Sequence, residues 1–153
     1  MPESMTKLLR APAVACLARA LLTLPFWFSE LSKLLFFDAG VAEMARAGLQ
    51  PAAGFNVATI VVQLVGSALI ILNRGAWLGA GALGSFTALT ILLVLRFRTI
   101  TDEPFQTIAM HVSTEHLGMI GGLLCVAVLA VRQELPERAP YKQTVYGRSE
   151  VRR

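Results

Sequence analysis

The chain has 153 residues, of which 55% are hydrophobic and 16% charged, and its mean hydropathy is +0.60. A soluble domain of this size carries about a quarter charged residues; here the apolar residues gather into long runs with the charges between them and at the ends, which excludes an ordinary soluble domain and leaves room for four membrane spans with short connections. The net charge of +4 comes without a basic patch interleaved with aromatics, so it reads as cytoplasmic positive charge and excludes a nucleic-acid surface.

In chain order, Lys7 and Arg10 precede an apolar stretch beginning at Ala11, an arrangement that imitates a secretory signal. The stretch runs on to Phe37, too long for the apolar core of a cleaved peptide, so a retained first helix is expected over Pro12–Phe37. Pro12 suits a first helical turn, where its missing N–H costs nothing. A loop from Asp38 to Gly54 follows, with Gly40, Gly48, Pro51 and Gly54, and a short interfacial amphipathic helix is expected within it at Val41–Ala47. The second helix is expected over Phe55–Leu72, and Asn73-Arg74-Gly75 is a tight polar turn. The third covers Ala76–Leu95, a polar loop covers Arg96–Gln106, and the fourth covers Thr107–Val131. The expected architecture is all-α: a four-transmembrane-helix bundle over residues 12–131, between an N-terminal segment, 1–11, and a charged tail, 132–153.

Basic residues orient the bundle. With the N-terminus inside, cytoplasmic segments hold Lys7, Arg10, Arg74, Arg132, Arg138, Lys142, Arg148, Arg152 and Arg153, whereas the outer loops hold only Arg46, Arg96 and Arg98. Both termini are therefore expected in the cytoplasm, with the protein in the cell inner membrane. Gly75, Gly79, Gly81 and Gly84 on the third helix and Gly118, Gly121 and Gly122 on the fourth are expected to let helix backbones approach closely in lipid. Cys16 and Cys125 lie far apart with no Cys-x-x-Cys pair, which argues against thiol–disulfide chemistry and leaves both as small apolar helix residues.

Charges within a span cost about 2.5–3.5 kcal/mol each at its centre, so each needs a reason. The first helix carries Arg19, Glu30 and Lys33. On one continuous helix at ~100° per residue all three share a face. Glu30 and Lys33, three residues apart, can pair; Arg19, about 16 Å from Glu30 along the axis, cannot. Counting ~1.5 Å per residue from the outer ends places Gln63, then Thr87 and Thr90, then His111, Glu115 and His116 at the depth of Glu30. The expectation is a polar intramembrane pocket of Arg19, Glu30, Lys33, Gln63, His111, Glu115 and His116, with Arg96 and Arg98 at its mouth. A hydrogen-bond network that fixes helix register, and a ligand, quinone or ion site, both remain open. His111 and Glu115 share a helix face, but two ligands do not make a metal site, and two histidines five apart on one helix do not supply a haem; no metal is expected.

Four segments carry a family resemblance. The first helix, LARALLTLPFWFSELSKLL, has an early Arg followed by a phrase similar to F-x-x-S-G-x-x-K-L. The loop FFDAGVAEMARAGLQP ends in an A-x-G-L-P-like phrase, VVQLVGSALIIL is similar to x-x-E-L-x-G-G-x-x-L, and EHLGMIGGLL contains an Ile-Gly-Gly-Leu-Leu ending. In this order and spacing, over residues 14–131, the chain resembles the DoxX family. The resemblance implies a four-helix membrane protein, and Arg19 and Lys33 match family positions. Two positions depart: the family's usual Gly is Glu30 here, and its usual second-helix Glu is Gln63. A carboxylate has moved between facing helices at similar depth, and the pairing with Lys33 is expected to survive the exchange.

The name-giving members are linked to a thiosulfate:quinone oxidoreductase, so the resemblance implies a subunit or accessory of a membrane-associated, quinone-linked redox system. Its partners would be the lipid bilayer and a redox protein or a second copy of the chain. The chain has no Gly-rich nucleotide loop, cysteine cluster or nucleophile triad, and a quinone is the one cofactor left open. A non-enzymatic scaffold or assembly factor, and a small transporter subunit, are the alternatives.

Overall fold

The computed structural model describes residues 2–92 and 102–134. Among them are seven helices and no strand: α1 (Glu3–Arg10), α2 (Pro12–Leu22), α3 (Leu24–Leu35), α4 (Phe37–Arg46), α5 (Ala52–Ile71), α6 (Ala76–Thr90) and α7 (Phe105–Glu134). The expected outer arginines Arg96 and Arg98, and the tail beyond residue 134, lie outside the described residues.

The first expected helix is divided. The segment that was to be one helix forms α2 and α3, bent by 61° at Thr23. The cause is local. Pro25 has no N–H to offer the carbonyl four residues back and its ring crowds that turn. Thr23 closes α2, its backbone N–H donating to the Arg19 carbonyl at 3.1 Å and its Oγ1 to the same oxygen at 2.8 Å. The Ala20 carbonyl accepts instead from the Trp27 indole Nε1–H at 3.1 Å, so the break is stitched by side chains rather than left open. Ahead of it, the N-terminal segment holds a helix that was not expected, α1, amphipathic and separated from α2 by an extended Ala11, the conformation a following proline favours.

Glycine and asparagine punctuate the connections. At the end of α4, Gly48 adopts φ 78°. Its N–H donates to the Ala45 carbonyl and that of Leu49 to Met44, both at 3.0 Å, a Schellman closure. The end of α5 repeats it with Asn73 (φ 54°), whose N–H and that of Arg74 reach Ile70 and Leu69, both at 3.1 Å. This is the tight turn expected at Asn73-Arg74-Gly75, and it sends α6 back antiparallel to α5.

Helix α6 lies between α5 and α7, and α5 also carries α2, α3 and α4 on its other side. The apolar core, Phe26, Ile70, Ala80, Leu83 and Leu123, gathers where α5, α6 and α7 meet the start of α3. Outside it the helices are greasy: Leu17, Leu21, Phe28, Leu31, Val61, Val65, Leu117, Leu124 and Val128 are all exposed. So much exposed aliphatic surface suits lipid rather than water. Helices α5 and α7 are each long and apolar enough to cross a membrane, and the bent α2–α3 pair passes the same test as one unit, giving two spans or three. The fifteen residues of α6 cover about 22 Å, and the chain is still helical at Ile91 and Leu92, where the described residues end.

Candidate functional site

Three of the side chains expected in the polar pocket, Glu30, Lys33 and Gln63, come together. Glu30, on α3, is completely buried. Its Oε1 accepts from Lys33 Nζ at 3.0 Å, one turn along the same helix, and from Gln63 Nε2 at 2.8 Å, on α5. Lys33 is also 3.8 Å from Glu43 Oε2 of α4, so its ammonium lies between two carboxylates. Glu30 Oε2, equally buried, meets no protein partner among the described residues. The helix periodicity explains the meeting. The buried stripe of α5 runs Asn56, Ile60, Gln63, Ser67, Ile70, one face at alternating spacings of three and four; Gln63 meets Glu30 of α3 and Asn56 donates to the Phe37 carbonyl at the start of α4, while Ile70 joins the core shared with α6.

Against this cluster lies an open groove of about 1150 Å³. Its polar wall carries Ser29 and Lys33 from α3, Thr59 and Gln63 from α5, Thr87 and Thr90 from α6, and His116 from α7. Its apolar floor is Phe26, Phe86 and Met119, which also pack on the core. Glu43, Arg46 and Leu49, from α4 and the turn after it, stand along one side. The turn that closes α4 thus builds part of the groove, and Gly40 lets α4 cross the start of α5: a Cβ there would lie 2.5 Å from Asn56 Oδ1.

The other expected residues sit elsewhere. Arg19 is half-buried on α2, beyond the bend, and makes no ion pair among the described residues. The bend undoes the shared face on which its placement with Glu30 rested. His111 and Glu115 are exposed on the outside of α7, away from the groove; the His111 Nδ1 is 2.8 Å from the Thr107 carbonyl. His116 is the α7 histidine on the groove wall. Glu43 was not anticipated beside Lys33, nor Arg46 along the groove. The signal for both was the amphipathic Val41–Ala47 segment, whose polar face has to meet something. Cys16 and Cys125 are free and exposed.

Residues 14–96, more than half of the chain, match the family model for DoxX. No curated protein and no solved structure matches the chain.

Proposed function

The chain belongs to the DoxX family, and from that premise we propose that it is a four-span inner-membrane protein with both termini in the cytoplasm, serving a membrane-associated redox system as a subunit that binds a quinone in the groove. One observation carries the ligand: a groove with a polar wall, an apolar floor and no net charge. On its lining Lys33 and Arg46 are offset by Glu43, and by Glu30, which is buried behind the wall against Lys33. An anionic lipid headgroup gains nothing from such a balance, whereas a neutral ring with oxygen substituents and an apolar tail fits both the wall and the floor. The volume lies near the upper end of ordinary ligand pockets, about 1,000 Å³.

The fourth span would be α6 together with residues that follow it. Reporter fusions test the topology: fusions at Gly48 and Asp102 should report the outer side, and fusions at Asn73 and the C-terminus the cytoplasm. Any reversal within that set rejects it.

Ligand binding is tested on the full chain in lipid nanodiscs with a short-tailed quinone. Saturable binding is expected, weakened at least tenfold by Ala58→Trp, which fills the groove from the α5 wall at a residue that takes no part in the Glu30 hydrogen bonds. Binding that ignores Ala58→Trp rejects the groove as the site. A scaffold role competes, favoured by Gly118 and Gly121, whose added Cβ atoms would meet nothing within 4 Å. Co-purification in mild detergent separates the two: a redox subunit supports the first, a partner without redox chemistry the second.

A further inference from the structure

The outer face of α7 differs from the other faces that the bundle turns to lipid. On α5 that face carries Val57, Val61 and Val65, and on α2 Leu17 and Leu21, all exposed. On α7, Thr107, His111, Thr114, Gly118, Gly121 and Cys125 are all exposed, and their alternating spacings of four and three place them on one stripe. None of them is a large aliphatic. Glu115, also exposed, stands beside the stripe one turn after His111. Both ionisable groups lie within Phe105–Gln133, the stretch long and apolar enough to cross a membrane. Ionisable side chains in a span rarely face lipid; they turn toward protein and pair there. These two do not pair with each other, and Glu115 makes no ion pair among the described residues. The His111 Nδ1 is 2.8 Å from the Thr107 carbonyl. A carbonyl oxygen only accepts, so Nδ1 carries the proton and Nε2 is left for a partner.

From this face we propose that the chain forms a parallel homodimer through α7, with His111 of each copy pairing with Glu115 of the other. Two copies inserted the same way are related by a twofold axis along the membrane normal, which sets each level of α7 against the same level of its partner. Each chain offers one imidazole and one carboxylate at that level, and the twofold supplies the complement of both: Nε2 and the facing carboxylate share a proton, in two reciprocal bridges. Further along, the stripe narrows to Gly118 and Gly121, where an added Cβ would meet nothing within 4 Å. Gly122 differs, since its Cβ would meet Leu22 Cδ1 of α2 at 2.9 Å; that glycine is used inside the fold and the other two are not. Small residues let two helices approach closely in lipid, and a repeat of four and three suits a left-handed crossing of about 20°. The dimer does not depend on what the groove holds.

Disulfide cross-linking of the full chain in the membranes of cells that produce it tests the dimer, because Cys125 on the stripe and Cys16 on α2 are both free and exposed. With Cys16→Ser, mild oxidation should join most of the chain into a dimer through Cys125. With Cys125→Ser and Cys16 kept, the dimer band should be at least fivefold weaker. In a chain lacking both cysteines, Gly121→Cys should restore the dimer, and Leu124→Cys, exposed but off the stripe, should give at least fivefold less. Gly118→Leu adds bulk where the single chain has open space, so its melting temperature in detergent should not fall, yet linking through Cys125 should drop at least fivefold. Glu115→Leu should lower it as much, whereas a carboxylate that faced lipid would leave linking unchanged. A chain that stays monomeric on oxidation, Cys125 linked only to other proteins, or equal linking from Leu124→Cys overturns the dimer. So does linking that ignores Gly118→Leu or Glu115→Leu.

Discussion

Glu30→Gly and Gln63→Glu should each destabilise the protein, and the double variant should recover most of what either loses. Glu30 Oε1 is the point where Lys33 Nζ and Gln63 Nε2 converge. Removing that carboxylate strands a cation only 12% exposed at its side chain, beside the more distant Glu43, and leaves the Gln63 amide without its partner. Breaking a buried pair from one side costs about 3–5 kcal/mol. Gln63→Glu alone fails for the opposite reason: two carboxylates would face each other where an amide now donates at 2.8 Å. Together the changes put one carboxylate back beside Lys33, from α5 instead of α3, which is the arrangement the family resemblance implies for other members. The double variant should therefore lie about 2–3 kcal/mol above the sum of the singles, within the range of direct contacts. Thermal unfolding of all four proteins in one detergent reads this directly, and additive losses would show that the carboxylate is tied to α3 for some other reason.

Parts of this site were legible in the residues because they depend on short spans of chain. The Glu30–Lys33 pair follows from a separation of three on one helix, and Gln63 from counting residues inward along a second helix of nearly the expected bounds. Depth counting fixes height but not azimuth. It placed His111, Glu115 and His116 at one level of α7 without saying which side packs inward, and the structure turns His116 to the groove and the other two outward. Arg19 failed for a different reason. Angular arithmetic across residues 12–37 presumes a straight axis, and Thr23 and Pro25 break it. Pro25 was the available sign, since a proline in the body of a helical run removes a hydrogen bond and bends the chain. The α4 contribution was harder to anticipate, because the placement of a short amphipathic helix depends on the helix it crosses.

The glycines sharpen the same distinction, and alanine substitutions should separate them by sign. Gly79→Ala should destabilise the bundle, whereas Gly81→Ala and Gly84→Ala, on the same helix, should be neutral or stabilising. A Cβ at Gly79 would lie 2.5 Å from the Gly66 carbonyl oxygen and 3.1 Å from both Ile70 Cγ1 and Leu69 Cβ. The first of these is backbone and cannot rotate away, so α5 and α6 must separate. The separation would loosen Leu83, which packs over Gly66 from the other helix: a Cβ at Gly66 would meet its Cδ2 and Cγ at 2.9 Å. Overpacking of this kind costs about 1–3 kcal/mol, and a backbone clash belongs at the upper end. At Gly81 and Gly84 a Cβ meets nothing within 4 Å, so the gain in helix propensity, up to ~1 kcal/mol, is free to appear. All four glycines of the third helix looked alike as small residues suited to close packing; only Gly79 has another backbone against it. Equal melting temperatures for the three alanine variants would mean that α5 and α6 do not approach as closely as the Gly66–Gly79 contact requires. A loss confined to Gly79→Ala would locate the closest helix contact of the bundle next to Leu83 and the apolar core on which the groove floor rests.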